Sequence, residues 1–183
     1  MTAPERTPAQ KALQRVLLVS AIDGWSVIVI AALGTLLTLL LGDLAGVGVG
    51  VLVLIAGVQE LRARRRLQRR DATGMQHLVR AQLLLLAVIL VYCATRLGSY
   101  DQESMLANLT PDMKAALKES GVEVADIVPL VRMVFFATYG LVAFLTLVFQ
   151  GGLLLYYRSK IPLVTEALVV PPAPPTLPTQ SVY

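Results

Sequence analysis

The sequence predicts an all-α membrane protein with four transmembrane helices, and two observations lead to that fold class. The chain of 183 residues is 56% hydrophobic and 15% charged, whereas soluble domains are about 45–50% apolar and about 25% charged. Four apolar stretches also reach the length of about 17–25 residues that a membrane-crossing helix needs. They are residues 24–41, 44–61, 78–98 and 130–157. Residues 23–160 are therefore expected to form one four-span bundle.

The segment before the first span has the periodicity of a helix with one apolar face. Its apolar residues recur at intervals of three and four, namely Ala9, Ala12, Leu13, Val16 and Leu17. We predict that residues 1–22 contain an amphipathic helix lying in the membrane interface. Asp23 is expected to cap the next helix and Gly24 to permit a bend. The alternative is one continuous helix from Pro8 to Leu41.

Residues 42–57, GDLAGVGVGVLVLIAG, are rich in glycine, and their spacing favours helix packing. A dinucleotide-binding fingerprint would need a third glycine where Val51 stands. On a helix, positions 46, 50, 53 and 57 share one face, and Gly42 adds a further step at a tight turn between the first two spans. Such a row of small residues lets another helix approach closely. The predicted packing residues are Gly42, Gly46, Gly50 and Gly57, with Gly34 and Ala31 of the first span, or a second subunit, as partners.

The connection between the second and third spans carries a run of arginines. The run comprises Arg62, Arg64, Arg65, Arg66, Arg69 and Arg70. With four crossings, twelve of the 16 Lys and Arg residues fall on this side and four on the other. The positive-inside rule then predicts that both termini are cytoplasmic. We expect the basic loop to contact the anionic cytoplasmic leaflet of the bilayer, with an acidic protein as the alternative. Nucleic acid is not expected, because the loop lacks aromatic residues for base stacking.

Two further segments flank the fourth span. The outer loop, residues 99–128, contains a helix start at Thr110-Pro111-Asp112 and a stop at Ser120-Gly121. This pattern of start and stop signals predicts a short helix lying over the bundle. Residues 161–183 are proline-rich and are expected to form an extended cytoplasmic tail.

Catalytic and metal-binding motifs are not found in the sequence. HExxH, GxSxG, CxxC and GxxxxGK[ST] are all missing, and Cys93 and His77 are each the single residue of their type. No enzymatic activity and no cofactor are therefore expected. The candidate polar site consists of Asp23, Gln150, Arg96 and Arg132, because polar groups within a span are costly and tend to be functional. The two arginines could instead reach the interface or pair with acids such as Asp43.

These features predict a small, non-enzymatic integral membrane protein that acts as a scaffold, an accessory subunit or a self-assembling module. A homo-oligomer or a membrane-protein partner is expected. The alternative is a small oligomeric channel or transporter, for which the candidate polar site would line the path. The composition favours a multi-pass protein of a bacterial inner membrane.

Overall fold

Four long helices make up nearly all of the regular structure in the part of the chain that is described. The computed structural model describes residues 7–101, 119 and 124–169. The helices are α1 (Pro8–Leu40), α2 (Leu44–Gln68), α3 (Thr73–Gly98) and α4 (Val124–Val169). Each is long and apolar enough to cross a membrane, and no strand occurs in the described ranges. The prediction of an all-helical chain with four candidate spans is therefore confirmed. Apart from residue 119, the predicted outer helix lies outside the described residues.

Helix α1 begins at the residue that its capping sequence indicates. The Gln10 backbone N–H donates to the Thr7 hydroxyl at 3.3 Å, and the Thr7 backbone N–H donates to the Gln10 side chain at 3.2 Å. This reciprocal pair satisfies donors that a helix start leaves without partners. Pro8 occupies the first turn, where its missing N–H costs nothing.

The predicted bend at Asp23 and Gly24 is wrong, because α1 continues through both residues without interruption. Gly24 is buried against α2, and a Cβ at this position would lie 2.9 Å from Leu61 Cδ2. Its small size therefore serves close packing between α1 and α2. Asp23 is a mid-helix residue rather than an N-cap, and its carboxylate accepts a hydrogen bond from a side chain of α3. The alternative, one continuous helix, is the observed arrangement.

The apolar face predicted for residues 1–22 packs within the protein. Ala9, Ala12 and Val16 are buried, and Leu13 and Leu17 pack against the same cluster as Val16. This face therefore contacts other helices, and a separate helix in the membrane interface is not observed.

The α1–α2 connection is a tight turn of residues 41–43. Gly42 has a positive φ of 73°, a conformation that glycine adopts without the steric cost of a Cβ. Asp43 then caps α2, because its Oδ1 accepts a hydrogen bond from the Gly46 backbone N–H at 3.1 Å. The two helices consequently run antiparallel and in contact.

The α2–α3 turn, residues 69–72, defines what we call the arginine-rich end of the bundle. The start of α1 and the end of α4 lie at this end, because Val16, Leu67, Met75 and Val164 belong to one buried cluster. The tail predicted from residue 161 is helical as far as Val169. Burial of Val164 explains this extension, which continues through Pro162 although proline supplies no backbone donor. The rest of that tail lies outside the described residues.

Two apolar clusters form the core. The first, at the arginine-rich end, contains buried residues from all four helices, namely Val16, Ala63, Leu67, Met75, Leu78, Tyr157 and Val164. The second is smaller and lies further along the bundle, where Val27, Ala56 and Leu85 meet. A layer of polar side chains separates them.

The half of α4 away from the arginine-rich end packs through aromatic rings on α3 and on Tyr100, which follows α3. The ring centroids of Tyr92 and Tyr139 are 6.0 Å apart, and those of Tyr100 and Phe135 are 5.0 Å apart. Edge and tilted arrangements of this kind favour contact between the negative face and the positive edge of two rings. Within the described side chains, both buried residues of α4, Tyr157 and Val164, lie in its other half.

Candidate polar site of the helical bundle

The polar layer brings together one side chain from each helix: Asp23 of α1, Glu60 of α2, Gln82 of α3 and Tyr157 of α4. We call these four residues the polar cluster. Each of the first three lies on the buried face of its helix, in steps of three or four residues from apolar core positions. In α2, for example, Glu60 follows Ala56 and precedes Ala63, and all three are buried. Their helices therefore aim these polar groups into the core.

Hydrogen bonds connect the polar cluster across the bundle. Gln82 Nε2 donates to Asp23 Oδ2 at 2.6 Å and to Glu60 Oε2 at 3.1 Å. The Tyr157 hydroxyl donates to Glu60 Oε1 at 2.9 Å. Glu60 is 1% exposed, Gln82 and Tyr157 are 0% exposed, and Asp23 is half-buried. Both oxygens of the Glu60 carboxylate thus have donors, and a single amide nitrogen serves both carboxylates.

One acceptor of the polar cluster has no partner. Gln82 Oε1 is buried and receives no hydrogen bond. Leaving a buried polar atom without a partner costs about 1–3 kcal/mol. Such an atom in a core layer calls for an explanation, and here it belongs to the residue that bridges the two carboxylates.

No lysine or arginine in the described part of the chain forms an ion pair with Asp23 or Glu60. Arg64 lies one turn beyond Glu60 on α2, but its Nε donates to the Leu17 backbone carbonyl at 3.0 Å. The same carbonyl accepts from the buried Ser20 hydroxyl at 3.3 Å. The two carboxylates consequently face an amide, a phenol and apolar side chains, without a neighbouring cation among these residues.

The four residues of the predicted polar site do not form one site. Asp23 belongs to the polar cluster, whereas Arg96 lies at the opposite end of α3. There its guanidinium pairs with Asp43, and its Nε donates to the Tyr92 hydroxyl at 3.2 Å. Arg132 lies over the ring of Phe136, 5.9 Å from the centroid. Gln150, on α4, has a buried Oε1 without a hydrogen-bond partner.

Three of the four glycines of α2 face α1 within the same chain. A Cβ on Gly46 would lie 2.7 Å from Thr38 Cγ2, and one on Gly57 would lie 2.8 Å from Ile28 Cγ1. On Gly50 it would overlap the Thr35 hydroxyl. We call Gly46, Gly50 and Gly57 the glycine ridge. Gly34, predicted as a partner of this ridge, has open space at its Cβ position, as does Gly42; the ridge contacts neighbouring turns of α1 instead.

Two side chains of the arginine run form hydrogen bonds within the protein. Arg64 bonds to α1, and Arg66 Nη1 lies 3.0 Å from His77 Nε2 of α3. Its remaining members are exposed at the arginine-rich end, namely Arg62, Arg65, Arg69 and Arg70. These four side chains are available to a lipid headgroup or an acidic partner.

Sequence reasoning did not single out Glu60 and Tyr157. A signal for Glu60 was nevertheless present, because it lies three residues after Gly57 and thus continues the face of the glycine ridge. Tyr157 stood at the end of the fourth predicted span, where a tyrosine is commonly interfacial. Nothing in its local sequence distinguishes that role from its buried position.

The polar cluster combines two acids, a phenol and an amide at the junction of four helices. Ionisable residues within a membrane-length bundle are candidates for function by default. Among the described residues, no group of three or more His, Cys, Asp or Glu side chains is placed to hold a metal ion. No protein-family model, curated protein or solved structure matches this chain.

Proposed function

We propose that this protein is a non-enzymatic integral membrane protein that acts as an accessory subunit or self-assembling module. We further propose that it associates with another membrane helix through α4. The observation that carries the proposal is the environment of Gly140, Gly151 and Gly152. Among the described residues, no side chain beyond the adjacent residues, and no backbone beyond the local turns of α4, lies within 4 Å of the position that a Cβ would occupy on any of them.

Glycine in a helix needs a compensating contact. It is about 0.8–1.0 kcal/mol less favourable than alanine in a helix interior. In α2 the glycine ridge gains close contact with α1. The three glycines of α4 gain no such contact within the described chain, and in this they resemble Gly34 and Gly48, but α4 carries three of them. Gly140 and Gly151 are separated by about three helical turns and so share a face. Close approach of a helix from another chain would account for them.

Gln150 adds a polar requirement to the same region. Its Oε1 is buried and has no partner, and it precedes Gly151 directly. An amide within a membrane interior gains stability when a neighbouring helix supplies a hydrogen bond. A partner helix seated against Gly151 would lie beside Gln150, whose side chain would turn outward to bond with it.

The proposed orientation places both termini and the arginine-rich end in the cytoplasm of a bacterial inner membrane. The distribution of twelve basic residues against four supports it. The exposed arginines at that end would contact anionic lipids, each contributing about 1 kcal/mol near the surface.

Native mass spectrometry of the full-length protein, reconstituted in lipid nanodiscs, tests the association. We expect an oligomer or a stoichiometric complex with a membrane protein, and we expect Gly151→Leu to abolish it. Gly48→Leu is the matched control, because Gly48 also has open space at its Cβ position but lies on α2. A monodisperse monomer without a co-purifying protein would contradict the proposal, as would equal loss of the complex in both variants.

A small oligomeric channel or transporter is the second candidate function, and the polar cluster favours it. Two carboxylates within a membrane bundle, one of them half-buried, are typical of ion pathways. A flux assay in liposomes tests this candidate. It predicts ion conductance or substrate uptake that Glu60→Gln diminishes, and the absence of flux in every oligomeric form would exclude it.

A further inference from the structure

The geometry of the polar cluster shows that its two carboxylates are immediate neighbours. Asp23 Oδ2 and Glu60 Oε2 both accept hydrogen bonds from the same atom, Gln82 Nε2. Apolar layers lie on both sides, with Val16 and Leu78 in one and Val27 in the other. The pair is thus enclosed along the bundle axis by side chains that cannot stabilise charge.

The groups that face Glu60 come from each of the other three helices. They are Asp23 from α1, Gln82 from α3 and Tyr157 from α4. The ring of Tyr156 is tilted against that of Tyr157, with the centroids 5.8 Å apart. None of these carries a positive charge. Two ionised carboxylates side by side in such surroundings repel each other strongly, because the effective dielectric constant is low.

We propose that Asp23 and Glu60 form a binding site for one proton, shared between the two carboxylates and enclosed by Gln82 and Tyr157. Binding converts one carboxylate into a carboxylic acid and lowers the negative charge of the pair by one. Asp23 is half-buried and Glu60 is 1% exposed, so the proton enters and leaves by way of Asp23. This site does not depend on whether the protein is an accessory subunit or a transporter.

The placement of the Gln82 amide supports a proton as the ligand. Its Nε2 donates to one oxygen of each carboxylate. When one carboxylate holds the proton, the amide still donates to the carboxylate that remains ionised. The amide therefore suits the site with and without the bound proton.

The same amide disfavours a metal cation at this position. Hard cations bind oxygen ligands, whereas the atom lying between Asp23 and Glu60 is the Gln82 nitrogen with its two hydrogens. A metal ion would have to displace these hydrogens. A proton requires no such displacement, since it joins a carboxylate oxygen directly.

Infrared difference spectroscopy of the full-length protein in liposomes tests the proposal. The carbonyl band of a protonated carboxylic acid is followed as the pH is raised from mildly acid to mildly alkaline. We expect the wild type to retain this band at neutral pH, and we expect Glu60→Gln to lose it. Glu166→Gln is the matched control, because Glu166 is an exposed carboxylate on α4, and this variant should keep the band.

A second variant tests the site if Glu60→Gln fails to fold. Tyr157→Phe removes a donor to Glu60 but keeps the buried ring, so the protonated band should persist to higher pH than in the wild type. Absence of the band from the wild type at neutral pH would overturn the proposal. An unchanged titration in Tyr157→Phe would do so too. Loss of the band on adding sodium or potassium at constant pH would assign the site to a metal cation.

Discussion

At the scale of single residues, Asp43 has two partners that can be separated by mutation. Its Oδ1 caps α2 through the Gly46 backbone N–H, and its Oδ2 pairs with Arg96 of α3. Asp43→Ala removes both interactions and should lower the free energy of unfolding by about 1–2 kcal/mol. Asp43→Asn retains a capping oxygen and should cost less, because a partly exposed ion pair contributes about 0–1 kcal/mol. Thermal unfolding in detergent measures both variants, and equal destabilisation would assign the effect to the ion pair.

The residues of the polar cluster show why a site is harder to predict than a span. Asp23 was a candidate because a carboxylate beside an apolar stretch is unusual, and its local sequence also fitted a helix cap. Its true partner, Gln82, is distant in sequence and becomes adjacent through the packing of α1 against α3. Arg96 and Arg132 were candidates because a charged side chain near the end of an apolar span is also uncommon. Each lies near the end of its helix that is far from Asp23. Pairing across helices depends on register, which residue type and span length do not determine.

At the scale of secondary structure, substitutions at two nearby glycines of α2 should have opposite effects on stability, because Gly50 belongs to the glycine ridge and Gly48 does not. Gly50→Ala would place a methyl group against the Thr35 hydroxyl, and overpacking of this kind typically costs about 1–3 kcal/mol. Gly48→Ala meets open space and should stabilise the helix by up to about 1 kcal/mol. Melting temperatures of the two variants should therefore shift in opposite directions. A stable Gly50→Ala variant would show that α1 and α2 do not depend on this close approach.

The hydrogen bonds of Asp71 at the start of α3 predict that the thermal stability of the protein depends on pH. Asp71 Oδ1 accepts hydrogen bonds from the Thr73 hydroxyl at 2.7 Å and from its backbone N–H at 2.9 Å. These hydrogen bonds favour the charged form and lower the pKa of Asp71 below its usual value. The stabilisation is present above the pKa of the unfolded chain and is lost as the pH falls through the lower, folded pKa. The wild type should therefore melt slightly higher than Asp71→Asn at neutral pH, and this difference should vanish in acid; a difference that grows in acid would contradict the assignment.

The start of the first helix and the turn after it agree with the sequence prediction, and local chemistry decides both. The start of α1 at Pro8 and the turn at Gly42 depend on capping and on a positive φ, which neighbouring residues specify. The bend expected at Gly24 did not occur, because contact with Leu61 of another helix outweighs the local preference. Likewise, α4 continues past Pro162 because Val164 packs in the first apolar cluster. Long-range packing therefore accounts for both errors.

At the scale of the whole molecule, the two ends of the bundle differ in how they are held together. All four helices meet at the arginine-rich end, through the first apolar cluster and the polar cluster. Towards the other end, aromatic contacts with α3 and with Tyr100 hold α4. The proposed association face runs along α4 from Gly140 in that half to Gly151 in the half at the arginine-rich end. A bound proton would act at the junction of all four helices, where it would change the charge of the polar cluster.

The orientation of the bundle in the membrane can be tested in intact cells. The arginine-rich end should lie in the cytoplasm, because lysine and arginine are retained on that side during insertion. In a Cys93→Ser background, Ser99→Cys should react with a membrane-impermeant maleimide added outside, whereas Gln68→Cys should react only after the cells are opened. Both positions are exposed, and they lie at opposite ends of the bundle. The reverse labelling pattern would place the termini outside and would remove the basis for contact between the arginine run and the anionic cytoplasmic leaflet.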